Sequence, residues 1–246
     1  MQSKTISGFV YFPNFTKILS LVVGSKNKLK RFKENETFIN VIQPEREDAV
    51  SDNFSLKGNW GSTFFKNQNP IILELGCGKG EYSIGMAQRY PDKNFIGIDI
   101  KGARFWRGAK TAIENNIDNV AFLRTQIELI EYFFAPGEVA EIWITFPDPQ
   151  IKYKRTKHRL TNSEFLQRYK KILAPDGVVN LKTDSEFMHG YTLGLLHGEG
   201  HEVIYANHNV YHNAGSPEIV TAIQTFYEQQ YLEKEKPITY IQFKIK

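Results

Sequence analysis

The chain of 246 residues has a single cysteine, Cys77, and that scarcity excludes a good deal. No disulfide can form within the chain and no Cys-x-x-Cys zinc site exists, which fits a reducing, cytosolic setting. Apolar runs are short, and none approaches the ~20 residues of a membrane helix. The opening "MQSKTISGFVYFPNFTKILSLVVGS" has Lys4 and an apolar stretch. Pro13 and Lys17 interrupt that stretch and no small-x-small cleavage site follows, so it reads as a loosely ordered extension, not a secretion signal. Internal repeats and low-complexity tracts are missing. Charge of one sign is not in strong excess: the formal net charge is +4 and the pI about 8.9, so placement decides more than the total. Two nucleotide-binding loops are absent as well. The phosphate-loop pattern Gly-x-x-x-x-Gly-Lys-Ser/Thr does not occur. The dinucleotide fingerprint would need glycine where Glu81 stands, and a carboxylate there would oppose a pyrophosphate. His197 and His201 are four apart, as are His208 and His212, but no third ligand pattern supports a metal and none is expected.

What is present is an ordinary globular composition, 41% apolar and 24% charged, enough for a core without covalent staples. Residues 26–33, "KNKLKRFK", hold five basic side chains and no acid, and read as a basic arm or a solvated charge run. Residues 34–70 read as an irregular lead-in with one short helix. Beyond them the pattern sharpens. Apolar runs at 71–76, 94–99, 120–125, 139–146 and 177–184 predict strands. Helical spacing at 80–90, 102–115 and 162–173 predicts helices, the last capped by Asn162 with Glu164 in its first turn. Such alternation predicts an α/β domain: a Rossmann-like, mostly parallel central sheet with helices on both faces. Ligands of such sheets lie beyond the carboxyl ends of the strands, where Asp99, Asp148 and Asp184 stand.

"ELGCGKG" (74–80) joins the first of these strands to its helix. Gly76, Gly78 and Gly80 permit a tight turn and a close approach to a ligand. Glu74, just before the turn, can receive a positive group, and Asp99 stands where an acid takes ribose hydroxyls. A nucleoside with a cationic or zwitterionic tail fits this set, and S-adenosylmethionine has the ribose, the ammonium and the sulfonium. Cys77 reads as a small turn residue, not a reactive thiol.

"FPDPQIKYKRTKHRLT" (146–161) sets an aspartate between two prolines and follows it with a positive strip. Together with "LELGCGKG", "FIGID", "LKTD" and "TFYE" (225–228), in that order, it resembles the bacterial tRNA (guanine-N7)-methyltransferases, across about residues 58–243. The glycine turn is generic to class I methyltransferases; the "FPDP"-plus-basic segment and the later elements are more specific. The resemblance implies the class I methyltransferase fold over 58–246, with 1–57 a partly disordered extension and basic arm. It implies S-adenosylmethionine as cofactor, held by Glu74, Gly76, Gly78, Gly80, Asp99, Gln126 and Asp148. Asp148 would be catalytic. tRNA would be the substrate, methylated at guanosine 46 of the variable loop, with contacts from Lys152, Lys154, Arg155, Lys157, Arg159, Asp184, Thr225, Phe226, Tyr227 and Glu228. Monomer and homodimer stay open. Two departures stand out: Gln150 and Ile151 replace the usual Trp-Pro, and Gln126 replaces an acid near the adenine, although an amide oxygen can still accept from an amino group.

Chemistry agrees with these assignments. Methylating guanine N7 creates a cation and removes no proton, so no general base is required; alignment does the work. Asp148 and Asp184 could hold guanine by its N–H donors and offset the ring charge, or Asp148 could simply form an Asx turn. Lys and Arg of the strip could neutralise phosphates, and Tyr153 could stack on a base. "YHNAG" (211–215) reads as a loop near the site. A small-molecule or protein methyltransferase on the same fold, or an RNA-binding protein with a residual cofactor pocket, are the other readings.

Overall fold

The computed structural model describes residues 27–45, 47, 51 and 53–246. The extension read at 1–24, and Lys26 of the basic arm, lie outside the described residues. The described part of the arm forms a helix, α1, over 27–35. The following elements are β1 (Val41–Ile42), β2 (Ile71–Leu75), α2 (Glu81–Arg89), β3 (Asn94–Ile98), α3 (Gly102–Glu114), β4 (Val120–Leu123), β5 (Val139–Thr145) and α4 (Ser163–Ile172). Then come β6 (Leu173–Thr183), α5 (Glu186–Gly198), β7 (Glu202–Asn207), α6 (Glu218–Ala222), α7 (Phe226–Leu232) and β8 (Thr239–Lys244).

Among the described residues, eight strands form one sheet in the order β1-β4-β3-β2-β5-β6-β8-β7. Pairs from β1 through β6 are parallel; β8 runs antiparallel to both β6 and β7. The central strands "IILEL", "NFIGI" and "VAFL" are buried at every position, the mark of parallel strands covered on both faces. Successive side chains go to opposite faces. Leu73, Leu75, Ile96 and Ile98 enter one apolar cluster with α4 and α5, while Ile72, Phe95 and Phe122 enter another with α2 and α3. Asn162 caps α4 as its sequence position predicts, accepting from the Phe165 N–H at 2.9 Å.

Residues 34–70 are more ordered than their weak periodicity suggests. β1 adds a short strand beside β4, and a π-helical turn at Trp60–Phe65 buries both its terminal aromatics. Trp60 donates its indole N–H to the Phe133 carbonyl at 2.9 Å and stacks on Phe134. Glu138 accepts the Gly58 and Trp60 backbone N–H groups at 2.8 and 3.2 Å. These partners lie more than seventy residues away, so no local pattern announces them. β6 also begins at Leu173, earlier than 177, because Leu173 already pairs with Val139 before a register shift. Among the described residues no helix is long and apolar enough to cross a membrane.

Candidate active site

The parallel register aligns the carboxyl ends of β2, β3, β4 and β5, and a cavity of about 430 Å³ opens just beyond them. Gly76 follows β2, Asp99 follows β3, Gln126 follows β4 and Asp148 follows β5; all four line this cavity. The four were named from separate stretches of sequence, and the fold brings them together.

The glycine turn is built on positive φ: Gly76 at 75°, Gly78 at 56° and Gly80 at 75°. That region costs other L-residues about 1 kcal/mol or more. Two of these glycines differ in their surroundings. A Cβ on Gly80 would come within 2.5 Å of the Phe122 ring, so Gly80 serves close packing of turn, helix and strand. A Cβ on Gly76 would meet nothing within 4 Å. Its bare backbone faces the cavity. The Gly76 and Cys77 N–H groups both donate to the Ile98 carbonyl, which ties the turn to β3.

Asp99 is locked by backbone. Its Oδ2 accepts from the Gly78 N–H at 3.1 Å and its Oδ1 from the Lys101 N–H at 2.7 Å. The carboxylate is thus aimed while its remaining lone pairs stay available. Glu74 sits deeper, at 5% exposure. Its Oε2 accepts from the Ser83 N–H and hydroxyl at 2.9 and 2.5 Å, and its Oε1 from the Thr145 hydroxyl at 2.6 Å. Burial pushes its carboxyl up to about 7, against the pull of these hydrogen bonds. Glu74 therefore braces β2, α2 and β5 against one another; Glu74, Gly78 and Gly80 do not line the cavity. Cys77 is buried, and burial first, then Glu74 and Asp99, raises its thiol well above the ordinary value, so it is no thiolate.

Asp148 is exposed and accepts the Gln150 N–H through Oδ1 at 3.0 Å, an Asx turn inside the Pro-Asp-Pro loop. Backbone strain brackets it: Phe146 and Gln150 have φ of 48° and 46°. Such strain persists only where surroundings over-determine it. Here the Phe146 N–H donates to the Lys182 carbonyl at 2.8 Å, and Arg159 donates to the Gln150 carbonyl at 3.1 and 3.2 Å and to that of Ile151 at 3.2 Å. The Arg159 guanidinium lies over the rings of Phe187 and Tyr191, at 4.8 and 4.4 Å. At 5% exposure it offers no free face to RNA, unlike its neighbours in the strip. Lys152, Lys154, Arg155 and Lys157 are all exposed on or beside the 3-10 turn Tyr153–His158, and Tyr153 is 92% exposed.

Residues 225–228 approach from the other side. Thr225 and Glu228 form a capping box at the start of α7. The Phe226 N–H donates to Glu81 Oε2 at 2.8 Å, and Lys79 lies 3.9 Å above the Phe226 ring. Glu81, the residue that spoils the dinucleotide fingerprint, thus tethers this segment to the glycine turn. Phe226 and Tyr227 are about half exposed. Glu228, expected to touch substrate, is fully buried: it pairs with the equally buried Lys182 at 2.6 Å and accepts from the Tyr211 hydroxyl at 2.8 Å. Burial lowers the Lys182 pKa and Glu228 opposes that shift. The Tyr211 bond also places the 211–215 loop beside this segment. Asp184 sits at the end of β6, 3.4 Å from Lys236.

Sequence reasoning missed Lys101, Arg104, Ile127 and Phe165, which also form part of the cavity wall. It also missed the Lys182–Glu228 pair, although a lysine inside the strand "VVNLKT" is a signal that could have found it. His197 lies in the last turn of α5, His201 precedes β7, and His208 and His212 lie in the loop after β7.

Comparison with known proteins agrees with this geometry. The family described as "Putative methyltransferase" matches residues 68–241. The solved 16S rRNA methyltransferase KamB superposes with a TM-score of 0.57 at 14% identity, covering 75% of this chain and 91% of its own, which shows the fold. The tRNA (guanine-N(7)-)-methyltransferase of Bacteroides fragilis is 48% identical, over 89% of this chain and 85% of its own length. That of Christiangramia forsetii is 74% identical over 91% of this chain and the whole of its own. Identity of that degree over a shared catalytic domain leaves no room for a different lineage: the chain belongs to the tRNA (guanine-N(7)-)-methyltransferase family.

Proposed function

We propose that the chain transfers a methyl group from S-adenosylmethionine to N7 of a guanosine in tRNA, guanosine 46 of the variable loop, in the bacterial cytoplasm. The observation that carries this reading is the cavity where Gly76, Asp99, Gln126 and Asp148 meet, with an exposed cationic turn immediately after Asp148. The cavity suits a nucleoside cofactor: it has an open glycine backbone, a backbone-locked carboxylate and apolar walls from Ile100 and Ile127. When bound, S-adenosylmethionine supplies an electrophilic methyl carbon on a sulfonium. Asp99 would accept from ribose hydroxyls and Gln126 from the adenine amino group, while Glu74 holds the turn in shape.

The rest of the work is positional. Guanine N7 offers a lone pair without losing a proton, so Asp148 need not act as a base. Its carboxylate would accept from guanine N–H donors and offset the positive charge growing on the ring. Strain at Phe146 and Gln150, held by Lys182 and Arg159, aims it. The exposed lysines and Arg155 would neutralise phosphates of the same RNA. Incubation with labelled S-adenosylmethionine and an unmodified tRNA transcript, followed by mapping of the product, tests the reading. A single N7-methylguanosine in the variable loop is expected; label on another atom, or unlabelled RNA, would overturn it.

A further inference from the structure

A second cavity, of about 400 Å³, shares Ile100, Lys101 and Arg104 with the first and lies under α1. Five cations line it: Lys28, Arg31, Lys101, Arg104 and Arg124. All five are exposed, and none has a carboxylate within 4 Å among the described residues. Five unpaired like charges around one hollow repel each other. The arrangement is nonetheless built. Lys28, Arg31 and Phe32 fall at helical spacing on one side of α1. The Arg124 guanidinium lies 4.9 Å above the Phe32 ring and Arg31 4.9 Å above Trp106, so aromatic faces orient both forks. The acid of the same helix turns elsewhere: Glu34 accepts from the Trp106 indole at 2.9 Å and pairs with Lys110 at 2.8 Å. Asn35 donates to the Gly102 carbonyl at 2.9 Å and fixes the helix in place. The acid docks α1 while its cations remain over the hollow.

We propose that this hollow is a phosphate clamp for the RNA backbone, separate from the strip at 152–157. It takes a phosphodiester close to the target nucleotide, beside the cavity that suits the cofactor. Planar guanidinium forks match phosphate oxygens in paired hydrogen bonds, and the shared wall of Ile100, Lys101 and Arg104 keeps the two ligands adjacent. This assignment rests on the proposed function in taking RNA as the substrate. It explains the basic run at 28–31 as half of a site whose other half, Lys101, Arg104 and Arg124, lies far away in sequence.

The test uses the full chain with Arg31→Ala/Arg124→Ala. Neither residue lines the first cavity. Arg31→Lys/Arg124→Lys keeps the charge, and Lys170→Ala/Lys234→Ala is a control for bulk charge. At about 0.15 M salt the first variant should bind tRNA about tenfold more weakly, and the slope of log affinity against log salt should fall by roughly one unit per phosphate released. The lysine variant should recover most of that slope, and cofactor affinity and melting temperature should stay at wild-type values. tRNA affinity and slope unchanged from wild type would overturn the clamp, as would an equal loss in the control. Millimolar inorganic phosphate that stabilises the wild type but not the alanine variant, with tRNA affinity unchanged, would assign the hollow to free phosphate and also overturn it. Mapping the wild-type product separates the two readings. N7-methylguanosine with unaltered tRNA binding in the variant sinks the clamp alone. No such product, with tRNA binding still dependent on Arg31 and Arg124, sinks the methyltransfer reading and keeps the clamp.

Discussion

Asp99 and Asp148 follow β3 and β5, the two strands that flank β2 in the sheet, and are held in opposite ways. Asp99 is buried, and two backbone N–H groups fix it, that of Lys101 from its own turn and that of Gly78 from the glycine turn after β2. Asp148 is exposed and, among the described residues, bonded only to the Gln150 N–H, in a loop strained on both sides. The braces of that loop come from far along the chain: Lys182 of β6 and Arg159 stacked on α5. On the proposed reading, the cofactor half of the site is preorganised by backbone N–H groups, while the RNA half depends on buried side chains far along the chain. We read Arg159 and Glu228 as such braces, not as substrate contacts.

The largest effect should come from the deepest brace. Glu228→Gln leaves Lys182 buried without a counter-charge, which should cost about 3–5 kcal/mol of stability, read from chemical denaturation. A double variant, Lys182→Met/Glu228→Gln, should regain most of that. If the single substitution melts like wild type, the pair does not hold the 225–228 segment. Next comes Asp148→Asn, which keeps the shape and removes the charge. Turnover should fall about 10²–10³-fold with cofactor affinity nearly constant, since the interaction forms mainly in the transition state. Turnover near wild type would reduce Asp148 to a turn former.

Glu74 sharpens the contrast through pH. Its carboxyl has an ordinary value near 4.5 and rises to about 7 in the fold. Below the ordinary value both states are protonated. As pH climbs toward 7, the unfolded chain releases the proton first, so stability must fall across that window and level off above it. The shift corresponds to about 3 kcal/mol. Glu74→Gln should flatten the curve of melting temperature against pH between 5 and 7; an unaltered curve would place the titration elsewhere. Smaller still is Asp99→Ala, which should weaken S-adenosylmethionine binding by about 1.5–3 kcal/mol in calorimetry, the usual cost of hydrogen bonds to a charged group. Unchanged affinity would remove Asp99 from the cofactor site.

The same contrast explains what the sequence made legible. Strand runs such as "IILEL", the glycine turn and the acid at the end of β3 are local signals, and the fold keeps them where periodicity puts them. Their limits are local too. Arg159 reads as one more cation in a basic strip, because a short 3-10 turn gives no periodicity that separates inside from outside. Lys182 is visible as a cation inside the strand "VVNLKT", but its partner lies 46 positions on. Trp60 and β1 depend on partners far along the chain, so the stretch before residue 70 read as irregular. The phosphate hollow combines a helix at 27–35 with residues beyond 100, and only the folded sheet edge unites them.

The division between the two halves is tested most directly by measuring, side by side, cofactor affinity and the salt dependence of tRNA binding in two variants. In Lys154→Ala/Arg155→Ala/Lys157→Ala, tRNA affinity should drop and the salt slope flatten by up to roughly three units, one per phosphate, with cofactor affinity unmoved. In Asp99→Ala only cofactor affinity should move. A strip variant that keeps the wild-type slope, or that loses the cofactor, would contradict the account.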